Sequence, residues 1–137
     1  MNVAVTIDAS VFVNAFSPTE EGSQHSWDFL SGLKENNTPI IVPTLLLAEV
    51  VASIARRQDN NELALEWLQE IKRVPNITFV DLDQSLAESS AEIAAAYRLR
   101  GSDAVYAAVA KRFATELVTL DREQLERVKK AITVRKP

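Results

Sequence analysis

Residues 3–7, Val-Ala-Val-Thr-Ile, form a short apolar run that stops abruptly at Asp8. A run of this length with β-branched residues predicts a strand that is buried on both faces. The same pattern returns near the C-terminus, where we predict a strand over Glu116–Leu120 that is followed at once by Asp121. Short apolar strands of this kind, separated by helices, are typical of a parallel sheet.

The remainder of the chain alternates between strand-like and helical patterns. Further strands are predicted at 40–42, 77–80 and 132–134. A capping pattern at Ser17-Pro18-Thr19-Glu20 predicts a helix start, and we expect further helices near residues 44–58, 60–71, 83–99, 103–113 and 122–130. Between the helices predicted near 83–99 and 103–113, we expect Gly101 to end the first helix and Ser102 to begin the second. With right-handed crossovers this predicts a single α/β domain over residues 1–137, a three-layer sandwich whose parallel sheet of about five strands is covered on both faces.

Length and composition exclude several classes of protein. A chain of 137 residues corresponds to one domain. There is no cysteine and only one histidine, His25, which excludes disulfides, thiolate catalysis and zinc sites built on these residues. Apolar stretches fall short of the ~20 residues of a membrane span, so we expect no membrane association. Residues 1–10 lack a positive region ahead of the apolar run, so we expect no signal peptide and a cytoplasmic location.

Two acidic residues follow predicted strands, and two more lie in predicted helices. Asp8 and Asp121 come directly after strands, and the carboxyl ends of parallel strands meet at the functional edge of such a sheet. Glu49 is surrounded by leucine, valine and alanine, so its charge cannot face the core without a partner. Asp103 lies in the first turn of a predicted helix, where the helix dipole favours a carboxylate, and the seven residues that follow it are uncharged. We expect the four acids to share one pocket.

Several carboxylates in one pocket repel one another. Because no lysine or arginine lies inside these apolar runs, either the pKa values of the acids rise or a cation binds between them. Oxygen ligands without histidine or cysteine favour Mg²⁺ or Mn²⁺ over zinc. The chemistry predicted for such a site is metal-assisted phosphoryl transfer.

Without the four acids of the predicted pocket, the net charge of the chain is zero, which is compatible with a nucleic-acid substrate. The chain has 19 acidic and 15 basic residues, so the four acids account for its entire net charge of −4. Taken alone, that negative charge argues against a general nucleic-acid binder. Six basic residues lie near the ends of the helices that carry the acids: Arg56, Arg57, Arg98, Arg100, Lys111 and Arg112. A nucleic-acid backbone could approach along such residues while a metal ion neutralises the acids.

Four segments in a fixed order resemble PIN-domain ribonucleases, in particular the VapC-type toxins of toxin–antitoxin pairs. They are VTIDASVFV (5–13), LLLAEVVA (45–52), RGSDAVYAAVA (100–110) and LVTLDRE (117–123). The resemblance implies a five-stranded parallel sheet and endonucleolytic cleavage of RNA that depends on Mg²⁺ or Mn²⁺. It also implies a homodimer and inhibition by a cognate antitoxin that inserts a segment at the active site.

The resemblance assigns roles to six residues. Asp8, Glu49, Asp103 and Asp121 match the acidic quartet that holds the metal and carries catalysis in the family. Ser10 and Thr119 match positions where the family often has a small hydroxyl residue near the metal. The target RNA, the number of metal ions and the group that activates the attacking water are left open.

Other interpretations remain for the residues and for the chain. Each acid alone could be structural: a turn residue at Asp8, a helix-start residue at Asp103, a helix cap at Asp121 or an exposed side chain at Glu49. A receiver domain needs an acidic pair after the first strand and a lysine after a late strand, and neither is present. A haloacid-dehalogenase-like phosphatase needs a second aspartate at position 10, which is serine. A catalytically silent protein-binding module stays possible, although it has no need of four converging carboxylates.

Overall fold

A computed structural model describes residues 3–137 and contains one five-stranded parallel sheet. Its strands are β1 (Val5–Ile7), β2 (Ile40–Pro43), β3 (Ile77–Val80), β4 (Glu116–Val118) and β5 (Val134–Arg135). They lie side by side in the order β3-β2-β1-β4-β5. β1 covers only the last three residues of the strand predicted over 3–7, and Val3 is exposed; the three residues of β1 are all buried, as predicted for a strand covered on both faces.

Seven helices connect and follow the strands within the described residues. They are α1 (Ala9–Ala15), α2 (Ser23–Glu35), α3 (Leu45–Gln58), α4 (Asn61–Arg73), α5 (Gln84–Tyr97), α6 (Gly101–Phe113) and α7 (Arg122–Arg127). Consecutive helices pack in pairs, and α6 packs directly on β1, β2 and β4. Residues 103–110 of α6 are buried without a break. The predicted α/β sandwich is therefore confirmed.

The first half of the chain differs from the prediction in one helix. Residues 9–15 form α1, which was not predicted because Val11, Phe12 and Val13 are typical of a strand. The capping pattern that begins at Ser17 does not start a helix: its hydroxyl donates backward to the carbonyl of Val13. The next helix, α2, begins six residues later, after Gly22 with its positive φ of 81°.

The junction between α5 and α6 also differs from the prediction. Arg98, not Gly101, adopts the left-handed conformation that ends α5, and the buried side chain of Leu99 follows it, as in a Schellman-type helix end. Gly101 is the first residue of α6, and the N-cap is Arg100 rather than Ser102. The predicted helix boundary was therefore wrong by two to three residues.

Several predicted boundaries hold, and others shift. The side chain of Asn60 caps α4 by accepting a hydrogen bond from the Leu63 amide at 3.0 Å. Thr44 occupies the N-cap position of α3 but makes no side-chain cap bond. Near the C-terminus three elements deviate: β4 ends at 118 instead of 120, α7 ends at 127 instead of 130, and β5 lies at 134–135 instead of 132–134.

The order of the strands fixes where a functional site can lie. The direction of winding reverses between β1 and β4, and ligands bind at the carboxyl ends of strands at such a switch point. A receiver domain has the order β2-β1-β3-β4-β5, so the receiver interpretation is wrong. Within residues 3–137, no helix combines the length and the apolar character that a membrane span requires.

Candidate active site

One open cleft at this switch point is lined by all four predicted acids. Its volume is about 550 Å³. Asp8 follows β1, Glu49 comes from the middle of α3, Asp103 lies in the first turn of α6, and Asp121 is the N-cap of α7. Four segments that are distant in sequence therefore present carboxylates to the same space, while their metal-binding role stays a prediction.

The carboxylate of Asp8 is 4% exposed and accepts hydrogen bonds on both oxygen atoms. Oδ1 accepts from the Ser10 hydroxyl and from the Ser10 amide, the latter at 3.1 Å. Oδ2 accepts from the Thr119 hydroxyl at 2.5 Å and from the Gln124 side-chain amide at 2.6 Å. Four protein donors thus fix the orientation of both oxygen atoms of Asp8.

Two backbone amides fix the direction of both hydroxyl groups. The Leu120 amide donates to Ser10 Oγ at 3.0 Å, and the Asp121 amide donates to Thr119 Oγ1 at 2.9 Å. Each hydroxyl has one proton, and since its oxygen accepts from an amide, that proton points to Asp8. Ser10 and Thr119 thus tie the segment after β4 to the carboxylate that follows β1.

The surroundings of Asp8 oppose its ionisation and the hydrogen bonds favour it. The pKa of Asp8 is raised from 3.8 to about 6, and burial is the largest cause, with a smaller contribution from the nearby Asp103 charge. The hydrogen bonds from Ser10, Thr119 and Gln124 lower the pKa in return, because all three groups donate to the charged form. A buried carboxylate whose ionisation is this costly is a common feature of functional sites.

Arg100 joins two of the other acids. Its Nε lies 3.0 Å from Asp103 Oδ2, and its Nη2 lies 3.1 Å from Asp121 Oδ2. Burial raises the pKa of Asp103, and the Arg100 guanidinium opposes that rise. No lysine or arginine lies inside the apolar runs, as the sequence shows, but Arg100 just before one of them reaches two of the acids.

Asp121 also caps a helix, and Glu49 contacts a tyrosine. Asp121 Oδ1 caps α7 by accepting from the amides of Glu123 and Gln124, at 2.8 and 3.2 Å, which leaves Oδ2 for the cleft. Glu49 Oε1 accepts from the Tyr106 hydroxyl at 2.5 Å. Burial raises the pKa of Tyr106, so this phenol stays protonated and remains a donor. A phenol is thus the partner that allows Glu49 to lie in an apolar helix.

The donor set suits a hard divalent cation, although the side chains do not converge as they stand. Among residues 3–137, no three histidine, aspartate or glutamate side chains are grouped closely enough to hold a metal ion. Arg100 lies between Asp103 and Asp121, while Asp8 and Glu49 face protein donors. Carboxylate oxygens are nevertheless the ligands that Mg²⁺ and Mn²⁺ prefer.

The sequence did not indicate the contacts of three residues of the site, although Arg100 was identified there as a basic residue near the helix ends. Arg100 lies three residues before Asp103, Tyr106 lies three residues after it, and Gln124 lies three residues after Asp121. Residues three apart on a helix share one face, so this spacing places Tyr106 and Gln124 on the side of an acid, but it does not identify the acids that they contact, Glu49 and Asp8.

Five of the six predicted basic residues divide into two groups, while Arg98 lines neither cavity and ends α5. Arg56, Arg57 and Arg100 line the cleft, where Arg57 also pairs with Glu20. Lys111 and Arg112 line a separate hollow between α5 and α6.

The chain matches the family model described as PIN domain over residues 5–131. No curated protein matches the sequence. Solved structures resemble the fold at low identity. The toxin–antitoxin complex from Klebsiella pneumoniae shares 19% identity at a TM-score of 0.69, with 97% of each chain covered.

Two further structures show the same fold. VapC20 of Mycobacterium tuberculosis, described as a toxin that cleaves the sarcin–ricin loop, gives a TM-score of 0.76 at 14% identity and covers 97% of this chain and 99% of its own. The FitAcB structure from Neisseria gonorrhoeae gives 0.72 at 17% identity, with 97% of each chain covered. At these identities the likeness concerns the fold.

Proposed function

The chain belongs to the PIN domain family, and we propose that it is a ribonuclease that cleaves RNA phosphodiester bonds endonucleolytically with Mg²⁺ or Mn²⁺. The observation that carries this proposal is the single cleft at the β1–β4 switch point, lined by the carboxylates of Asp8, Glu49, Asp103 and Asp121. A phosphodiester substrate supplies oxygen ligands that complete the coordination of such an ion.

In this proposal the four acids share one role, and the residues around them have others. Asp8, Asp103, Asp121 and Glu49 would hold the ion, which supplies an activated water and neutralises charge on the phosphate. Ser10, Thr119 and Gln124 keep the Asp8 carboxylate in one orientation. Arg56 and Arg57 line the same cleft and suit the phosphates that flank the cleaved bond.

Cleavage of total RNA tests this function. We expect fragmentation in Mg²⁺ or Mn²⁺, loss of fragmentation in a chelator, and recovery when the metal is added back. An Asp103→Asn variant purified in the same way measures contaminating nuclease. Intact RNA under all metal conditions would contradict the proposal and favour a catalytically silent protein-binding module.

We also propose that the protein is the toxin of a toxin–antitoxin pair, a homodimer located in the cytoplasm. One structure of similar fold is described as a toxin–antitoxin complex. A neighbouring reading frame for a small protein would be the antitoxin candidate. Co-expression should relieve growth inhibition by this chain, and light scattering of the purified protein should give twice the chain mass. Growth inhibition that every neighbouring product leaves unchanged would contradict the pairing.

A further inference from the structure

Arg100 is an exposed side chain whose guanidinium is engaged by two carboxylates of the cleft. Its side chain is 71% exposed, yet its nitrogens lie 3.0 Å from Asp103 and 3.1 Å from Asp121. The two acids come from different elements, α6 and α7, and each presents its Oδ2 to the guanidinium. One positive charge therefore lies between two of the four acids.

We propose that Arg100 is the resident cation of the acidic site: it competes with the divalent ion for Asp103 and Asp121, and after displacement it binds a phosphate of the substrate. The competition is a property of the site itself. The phosphate contact rests on the proposed ribonuclease function.

Neither ion pair of Arg100 contributes to a helix cap. The cap of α7 depends on Asp121 Oδ1, which bonds the amides of Glu123 and Gln124, so Oδ2 is free for a cation. Arg100 is the N-cap residue of α6, but its side chain makes no cap bond. Within residues 3–137, the side-chain hydrogen bonds of Arg100 go only to Asp103 and Asp121.

The guanidinium can be displaced at low cost because it is mostly exposed. Exposed ion pairs contribute little to stability, and water replaces the lost contacts. A guanidinium stays charged throughout the physiological pH range, so pH does not release the two acids. A divalent ion has twice the charge of Arg100 and a smaller radius, and therefore it replaces the guanidinium when both acids can reach it.

The displaced side chain would stay at the mouth of the same cleft. Its planar donors fit two oxygen atoms of a phosphate group. Arg56 and Arg57 also line this cleft from the last turn of α3. Arg100 would thus change its partner from the carboxylates to the substrate as the metal enters.

Calorimetric titration of the whole protein with Mn²⁺ tests the competition. We expect Arg100→Gln to bind Mn²⁺ roughly three- to tenfold more tightly than the parent, the size expected for two ion pairs whose guanidinium is exposed. Arg122→Gln is the matched control, because it removes the same charge beside Asp121 from an exposed residue for which no ion pair is found in residues 3–137. We expect the control to change the Kd less than twofold, since general charge effects are weak at this exposure.

A conservative variant and a melting series make the result specific. Arg100→Lys keeps the charge but cannot bond both acids with one planar fork, so its Kd for Mn²⁺ should fall between those of the parent and Arg100→Gln. Mn²⁺ should raise the Tm of Arg100→Gln more than that of the parent. An unchanged or weaker affinity in Arg100→Gln, or an equal gain in Arg122→Gln, would overturn the competition.

Kinetics on RNA test the second half of the proposal. We expect Arg100→Gln to raise KM for RNA while it lowers the Kd for Mn²⁺, two opposite changes that a merely structural role would not produce. An unchanged KM would overturn the phosphate contact. If neither protein binds Mn²⁺, the proposed metal-dependent function fails; if both bind it equally, only the role of Arg100 fails.

Discussion

The two ends of the sheet differ in the side chains that line them, which are acidic at one end and aromatic at the other. At the carboxyl ends of β1 and β4 lies the acidic cleft, whose charged groups are costly to bury. At the amino ends of β2 and β3 lies a hollow lined by an aromatic cluster, which we define as Phe16, Trp27 and Trp67. The rings of Phe16 and Trp67 are stacked with centroids 3.8 Å apart, and Trp27 meets both edge-on.

One short helix contributes to both regions. Ser10 and Val13 of α1 line the acidic cleft, while Phe12 lines the aromatic side and Phe16 follows the helix as its C-cap. The aromatic cluster stabilises the fold through apolar and ring–ring contacts. The acidic cleft lowers the stability of the fold, because burial disfavours the charged form of Asp8. Activity and stability should therefore respond to different residues of the same helix–sheet unit.

Asp8→Asn should have the largest effect on activity. Loss of a proposed ligand should lower kcat/KM for RNA by at least about 100-fold, beyond the 10–100-fold typical of losing an outer-shell partner. The measurement is cleavage in Mg²⁺ beside Asp28→Asn, an exposed aspartate that bonds Gln24 and lies outside the cleft. A variant at Asp8 that cleaves RNA as well as the parent would disprove the assignment of this residue.

Trp67→Ala should show the reverse pattern. Removal of this partly buried ring should lower the free energy of unfolding by about 3 kcal/mol, near the low end for aromatic-to-alanine changes in a core. Cleavage per folded molecule should stay within about twofold of the parent. Urea unfolding measures the first quantity, and a large loss of kcat at full folding would show that the two regions are coupled.

The pH dependence of stability should distinguish the two regions as well. The pKa of Asp8 in the folded protein is raised from 3.8 to about 6, so the folded state binds a proton more tightly than the unfolded state. This stabilisation is complete below about pH 4 and is lost as the pH rises to about 6, by at most about 1.4 kcal/mol per pH unit.

Urea unfolding without metal between pH 4 and 7 tests that dependence. The parent should lose stability relative to Asp8→Asn as the pH rises through this window, and the difference should then stay constant. Trp67→Ala should follow the slope of the parent. Parallel curves for the parent and Asp8→Asn would contradict the pKa assigned to Asp8.

Gln124→Met should have a smaller effect that is confined to the cleft. The fully buried amide donates to Asp8, and its own Oε1 has no hydrogen-bond partner in the described part of the chain. An apolar side chain of similar length removes both the useful donor and the unsatisfied oxygen, so stability should change by less than about 1 kcal/mol. Cleavage should fall roughly tenfold through the loosened Asp8, and unchanged cleavage would exclude a positioning role.

The sequence allowed the strands and the positions of the acids to be predicted, because both follow from local chemistry. A short β-branched run such as residues 3–7 has few alternatives to a buried strand, and a charge such as Glu49 in an apolar helix requires a partner. The identity of that partner was not predictable in this way. Tyr106 comes from a different helix, α6, 57 residues further along the chain, and only the folded structure brings the two side chains together.

Local competition explains the helix that was missed. Residues 11–13 favour a strand by propensity. However, the Asp8 side chain accepts a hydrogen bond from the Ser10 amide, and this N-cap begins α1. The same aspartate therefore has a structural role as a cap as well as its predicted role in the site. Asp121 has the same pair of roles at α7, so the structural and functional interpretations of these acids are compatible.

The central claim is that carboxylates of the cleft share a divalent ion, and anomalous diffraction from crystals grown with Mn²⁺ tests it most directly. The account predicts a manganese peak inside the cleft, roughly 2 Å from oxygen atoms of Asp8 and of at least one further acid, with the Arg100 guanidinium moved away from Asp103 and Asp121. A cleft without a peak at saturating Mn²⁺, or a peak bound only outside it, would contradict the account.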